Sequence, residues 1–171
     1  MLNQEEVKVI EKGMIVLWFI WGAILFSLFV YIFISHTLGD EIRKGASEEI
    51  DLSLFRNILM AVGIVEIFII HFLRKLMLPK VPESYRAEMQ LESSKADPVR
   101  AVALYTRAMI ITLALAESIG IYGLVLFFIG DSSEVLYMFM AVSAALMIYY
   151  RPKRDELEAF LVKKDLTPQG R

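Results

Sequence analysis

Apolar residues run almost unbroken through four stretches of the chain, about 13–38, 54–77, 102–130 and 134–150, and most charges fall between them. Continuous runs argue against strands in lipid, where side chains alternate and an open sheet edge leaves backbone groups unsatisfied. At 1.5 Å per residue, about 20 residues cross a hydrocarbon core of roughly 30 Å. Each of the first three stretches therefore predicts a spanning helix. The fourth is shorter, and Tyr149-Tyr150 marks its headgroup end. The expected fold class is all-α, a polytopic membrane protein with a four-helix transmembrane domain over 1–150 and a short tail over 151–171.

The breaks between the stretches predict topology. Pro79 and Pro82 stop the second helix and Asp97-Pro98 starts the third, leaving a polar linker over 79–98. Lys8 and Lys12 precede the first stretch, Arg74, Lys75, Lys80, Arg86, Lys95 and Arg100 separate the second from the third, and Arg151, Lys153, Arg154, Lys163, Lys164 and Arg171 follow the fourth. The connection from Gly39 to Ser53 is mainly acidic, and Gly130 to Glu134 carries no basic residue. Cytoplasmic connections carry the Lys/Arg excess, so both termini and the linker are expected inside. In the tail, Leu157, Phe160 and Leu161 recur at helical spacing and predict a short amphipathic helix on the cytoplasmic surface.

Composition agrees with this reading: 57% of residues are hydrophobic and the mean hydropathy is +0.55. The expected location is integral to a membrane, a bacterial inner (cytoplasmic) membrane. With no cysteine, the chain has no disulfide, thiolate nucleophile or cysteine metal site. A formal net charge of -2 gives no reason to expect a nucleic-acid partner. Membrane lipid, further copies of the chain or a larger membrane complex are the expected partners. No phosphate-binding glycine loop, zinc-protease motif or nucleophile elbow occurs, and His36 and His71 are the two histidines. Neither an enzyme nor an organic cofactor is expected.

Two carboxyls stand out against this background. Glu117 lies in the middle of Leu113-Ala-Leu-Ala-Glu-Ser-Ile-Gly-Ile-Tyr-Gly-Leu-Val-Leu126, and Glu66 lies near the middle of the second stretch. An ionisable residue at mid-membrane costs on the order of 3 kcal/mol on insertion scales and marks a functional site by default. A carboxyl in lipid must carry a proton or pair with a cation, and the two could share one site. Small residues at Ala108, Thr112, Ala116 and Gly120 recur once per turn beside Glu117, so that face of the third helix is expected to meet another helix, of this chain or of a neighbouring copy.

The run from about 113 to 126 resembles the carboxylate-bearing helix of the c subunit (proteolipid) of rotary ATP synthases, most closely its sodium-binding variety, in its Glu117, Ser118 and Tyr122. The resemblance implies that Glu117 carries H⁺ or Na⁺, that Ser118 supplies a hydroxyl ligand and Leu115 a backbone carbonyl, and that Tyr122 holds the carboxylate by a hydrogen bond. A helical hairpin with a cytoplasmic loop precedes this helix in the family, in the order of the second stretch, linker and third stretch here. The chain departs from the standard rotor subunit in its second stretch, which has Ala61 and Gly63 instead of closely spaced glycines and Glu66 instead of a glutamine, and in its extra flanking helices.

Two classes of function follow. In the first, Glu117 with Leu115, Ser118, Tyr122 and Glu66 binds H⁺ or Na⁺ within an oligomer. In the second, the chain is a structural or accessory membrane subunit whose buried carboxyls only specify helix pairing. Trp18, Trp21 and Tyr31 read as lipid-facing or interfacial anchors, and Arg107 as a side chain reaching the cytoplasmic headgroups. His71 is a weaker candidate for a proton relay.

Overall fold

A computed structural model of the chain describes residues 4–43, 51–77 and 98–157. They form four helices, α1 (Gln4–Arg43), α2 (Leu52–Met77), α3 (Pro98–Phe128) and α4 (Ser133–Tyr149), with no strand among the described residues. The all-helical class is thus the one the apolar pattern predicts, and α1, α2 and α3 are each long and apolar enough to cross a membrane. α4 is a shorter apolar helix of 17 residues. α1 extends past 13–38 at both ends. Residues 154–157 are helical, while 158–171, with the rest of the expected amphipathic tail, and almost all of the 79–98 linker lie outside the described residues.

Local chemistry sets the helix starts. Asp51 caps α2: its Oδ1 accepts hydrogen bonds from the Ser53 and Leu54 amides at 3.0 and 3.1 Å and from the Ser53 hydroxyl at 2.7 Å. These donors hold the Asp51 carboxyl below its ordinary value, the Ser53 hydroxyl contributing most. Ser132 caps α4 by accepting from the Val135 amide. Between α3 and α4 the turn passes through Gly130 at φ 113°, a conformation that other residues adopt at a steric cost.

The chain divides into two units. One comprises Met1–Ile20, Phe72–Ile111 and Pro152–Arg171. Its buried apolar side chains include Ile10, Leu17, Tyr105, Met109 and Leu157. The Arg74 guanidinium is buried there too, and it pairs with Glu156 and donates to the Met109 sulfur at 3.4 Å. The Tyr105 hydroxyl donates to Glu156 at 3.1 Å and accepts from the Lys153 amide at 3.0 Å. A buried ion pair survives only with such additional hydrogen bonds, and this set ties the segment after α4 to the ends of α2 and α3.

The other unit comprises Trp21–His71 and Thr112–Arg151. Ile119, Leu126 and Phe139 form its buried centre, with Phe55, Leu59 and Ile67 of α2 packed against them. The small-residue face of α3 is filled by the chain itself. Leu28 of α1 and Met140 of α4 lie against Gly120, and the Ser143 hydroxyl donates to the Ala116 carbonyl at 2.6 Å. At Gly123 an added Cβ would stand 2.6 Å from the Phe139 Cβ and 3.2 Å from the Leu136 carbonyl oxygen, so α3 and α4 approach there as only glycine allows. At the start of α2, Arg56 grips the buried Asp131 with two bonds of 2.7 and 2.8 Å.

Candidate functional site: two intramembrane carboxyls

Both mid-helix carboxyls lie in the second unit, and each is met by a hydroxyl from a different helix. Glu117 of α3 accepts through Oε1 from Ser27 at 2.5 Å and from Tyr31 at 2.8 Å, both on α1. Glu66 of α2 accepts through Oε1 from Ser118 of α3 at 2.6 Å. Residues 117 and 118 point about 100° apart around α3, so one turn of that helix offers a carboxyl to α1 and a hydroxyl to α2.

Glu66 is the more enclosed of the two. Its side chain belongs to the buried stripe of α2 with Gly63 and Ile70, each about one turn away on either side. It is 7% exposed, and its second oxygen, Oε2, has no hydrogen-bond partner among the described residues. The Tyr122 hydroxyl stands beside Glu66 and Ser118. Glu117 is only half-buried.

The serines share one further feature. Ser118 Oγ lies 2.7 Å from the Leu115 carbonyl as well as 2.6 Å from Glu66, and Ser27 Oγ lies 2.7 Å from the Ile24 carbonyl as well as 2.5 Å from Glu117. A hydroxyl carries one proton and can donate it once. The two contacts of each serine are met either by sharing that proton in a three-centre bond or by a proton carried on the carboxyl.

The residues singled out from sequence therefore fall into two groups. Glu66, Ser118, Tyr122 and the Leu115 carbonyl come together, joined through the Ser118 hydroxyl. Glu117 turns to Ser27 and Tyr31 of α1, and it shares no hydrogen-bond partner with Glu66 among the described residues. Ser27 and Tyr31 are the contacts that sequence reasoning missed. Their signal was present, since Ser27, Tyr31 and Ser35 place a hydroxyl on one face of α1 every fourth residue. His71 and Arg107 are exposed and take no part in either contact. Among the described residues no group of three or more His, Cys, Asp or Glu converges as a metal site. The oxygens linked to the Glu66 carboxyl through Ser118 are a hydroxyl and a carbonyl, fewer than the six or more that a divalent cation takes. Compared with known protein families, with curated proteins and with solved structures, the chain shows no match.

Proposed function

We propose that this is an integral membrane protein that holds H⁺ or Na⁺ reversibly on its mid-membrane carboxyls, as the c-subunit-like run around Glu117 implies. The observation that carries the reading is the double contact of Ser27 and Ser118, each within hydrogen-bond distance of a carboxyl oxygen and of a carbonyl in its own helix. A carboxyl that carries its proton can satisfy both contacts at once, by donating to the serine while the serine donates to the carbonyl. Losing the proton turns the serine hydroxyl from its carbonyl toward the carboxylate, so the hydrogen-bond network has a defined state for each form. A Na⁺ in place of the proton would draw on the same oxygens.

Self-association belongs to this proposal. Since the small-residue face of α3 is taken up by α1 and α4, a neighbouring copy would meet the exposed apolar faces of α1 or α2, which include Phe19, Phe26, Phe68 and Phe72.

A carbodiimide, which modifies protonated carboxyls in apolar surroundings, tests the function. The purified protein in lipid vesicles is expected to be labelled, more slowly as pH rises and more slowly with added Na⁺ if Na⁺ binds. The variant carrying both Glu66→Gln and Glu117→Gln should remain unlabelled at these spans. Labelling of the native protein that ignores both pH and Na⁺ would leave the accessory-subunit reading in its place. A specific contact favours that second reading at Glu117 alone, where two α1 hydroxyls already share one oxygen and fasten α1 to α3.

A further inference from the structure

The two carboxyls are not equivalent, and the difference assigns them separate roles. Glu117 is half-buried and takes two hydroxyls of α1, Ser27 and Tyr31, on its Oε1. Glu66 has one hydroxyl on Oε1 and none on Oε2, although it is the more deeply buried group. A buried polar atom without a partner costs on the order of 1–3 kcal/mol, and native proteins keep such atoms chiefly where something else binds them.

We propose that Glu66, and not Glu117, is the exchanging site: Oε2 receives the monovalent cation, Tyr122 closes over it, and Glu117 stays protonated as a fixed clasp between α1 and α3. This rests on the reading that the mid-membrane carboxyls bind H⁺ or Na⁺, and it names which of them does so. The Ser118 hydroxyl links the Glu66 carboxyl to the Leu115 carbonyl, and the Tyr122 hydroxyl stands beside Glu66 and Ser118, so oxygens of three further residues adjoin this carboxyl directly or through Ser118. A single carboxylate supplies one negative charge, which matches a monovalent ion and leaves a divalent one uncompensated. At Glu117 a cation on Oε1 would have to displace Ser27 or Tyr31, and with it the hold of α1 on α3.

Infrared difference spectroscopy of the full-length protein in lipid vesicles tests this without requiring a reagent to reach a buried group. A buffer change, either to higher pH at fixed Na⁺ or to higher Na⁺ at fixed pH, is followed through the carboxylic-acid C=O stretch. The native protein and Glu117→Gln are expected to lose this band alike, and Glu66→Gln is expected not to respond. A response to the pH step alone identifies the proton as the bound cation; a response to the Na⁺ step as well identifies Na⁺. Tyr122→Phe should move the half-point of the change about tenfold in cation concentration, the worth of one lost ligand. If Glu117→Gln abolishes the response, or if Glu66→Gln retains it, the assignment is overturned while cation binding stands. A native protein that shows no band change under either step overturns both. Should Glu66→Gln fail to fold, the Glu117→Gln arm still decides.

Discussion

At the scale of single residues, the same chemical device recurs at both carboxyls: a serine one turn past a carbonyl of its own helix, within reach of an acid on the next helix. Serine in a helix ordinarily bonds back to such a carbonyl. Placing a carboxyl on the other side of the oxygen joins that habit to a contact between helices. Glycines show the opposite kind of constraint, set by space. At Gly22 of α1 an added Cβ meets nothing within 4 Å, whereas at Gly123 it would press on Phe139 at 2.6 Å and on backbone at 3.2 Å. Gly22→Ala is therefore expected to stabilise the protein by about 0.5–1 kcal/mol through helix propensity. Gly123→Ala is expected to destabilise it by about 1–3 kcal/mol through overpacking. Thermal unfolding in detergent checks both, and two shifts of the same sign would contradict the packing described for α3 and α4.

At the scale of the helix, α2 is the most informative element. One stripe of it carries the buried positions Gly63, Glu66, Ile70 and Arg74, and its other faces present Val65, Phe68, Phe72 and Leu76 to the outside. Its best-satisfied polar groups sit at its ends, with Asp51 and Arg56 at the start and Arg74 near the finish. The mid-helix carboxyl is the one left short of partners. The cap at Asp51 gives a pH prediction whose sign follows from the lowered value. The ionised cap is stabilising above the ordinary value of 3.8, and that contribution is lost as pH falls through the lower folded value. The amide NMR signals of Ser53 and Leu54 should titrate together with a midpoint below 3.8 and stay flat in Asp51→Ala. A midpoint at or above 3.8 would mean that the cap does not form in solution.

For the molecule as a whole, three helices have the length and apolarity to cross a membrane, and α3 is the one most enclosed by the others. In its most apolar window 44% of residues are buried, against 11% in α1 and 17% in α2. A helix with so much covered surface can present different residues to different neighbours, which is why the contacts to both Glu117 and Glu66 run through it. The chain has no cysteine, so a single introduced thiol reports its own location without background. If the chain has the proposed topology of four spans with both termini inside, Glu134→Cys should react with an impermeant maleimide from the outer face. Ser94→Cys, in the basic linker, should react only after the membrane is opened. Labelling of both from the same face would remove α3, the helix between the two positions, as a span.

Much of the fold was legible in the chain because membrane helices are specified locally. An unbroken apolar run, its length and the prolines and charges at its ends are properties of neighbouring residues, and they suffice for the all-helical class and for the three long apolar helices. The candidate carboxyls were legible for a similar reason, since an acid among apolar side chains is conspicuous in any order. What the chain alone left open was pairing. The period of a helix shows which residues share a face but not which neighbour that face will meet, so Ser27 and Tyr31 read as ordinary side chains of an apolar helix and Ser118 as a partner for the acid beside it. Only tertiary packing sets the rotation of α1 and α2 about their axes against α3, and that rotation delivers Glu117 to the hydroxyls of α1 and Glu66 to Ser118, leaving the buried Glu66 Oε2 without a hydrogen-bond partner among the described residues.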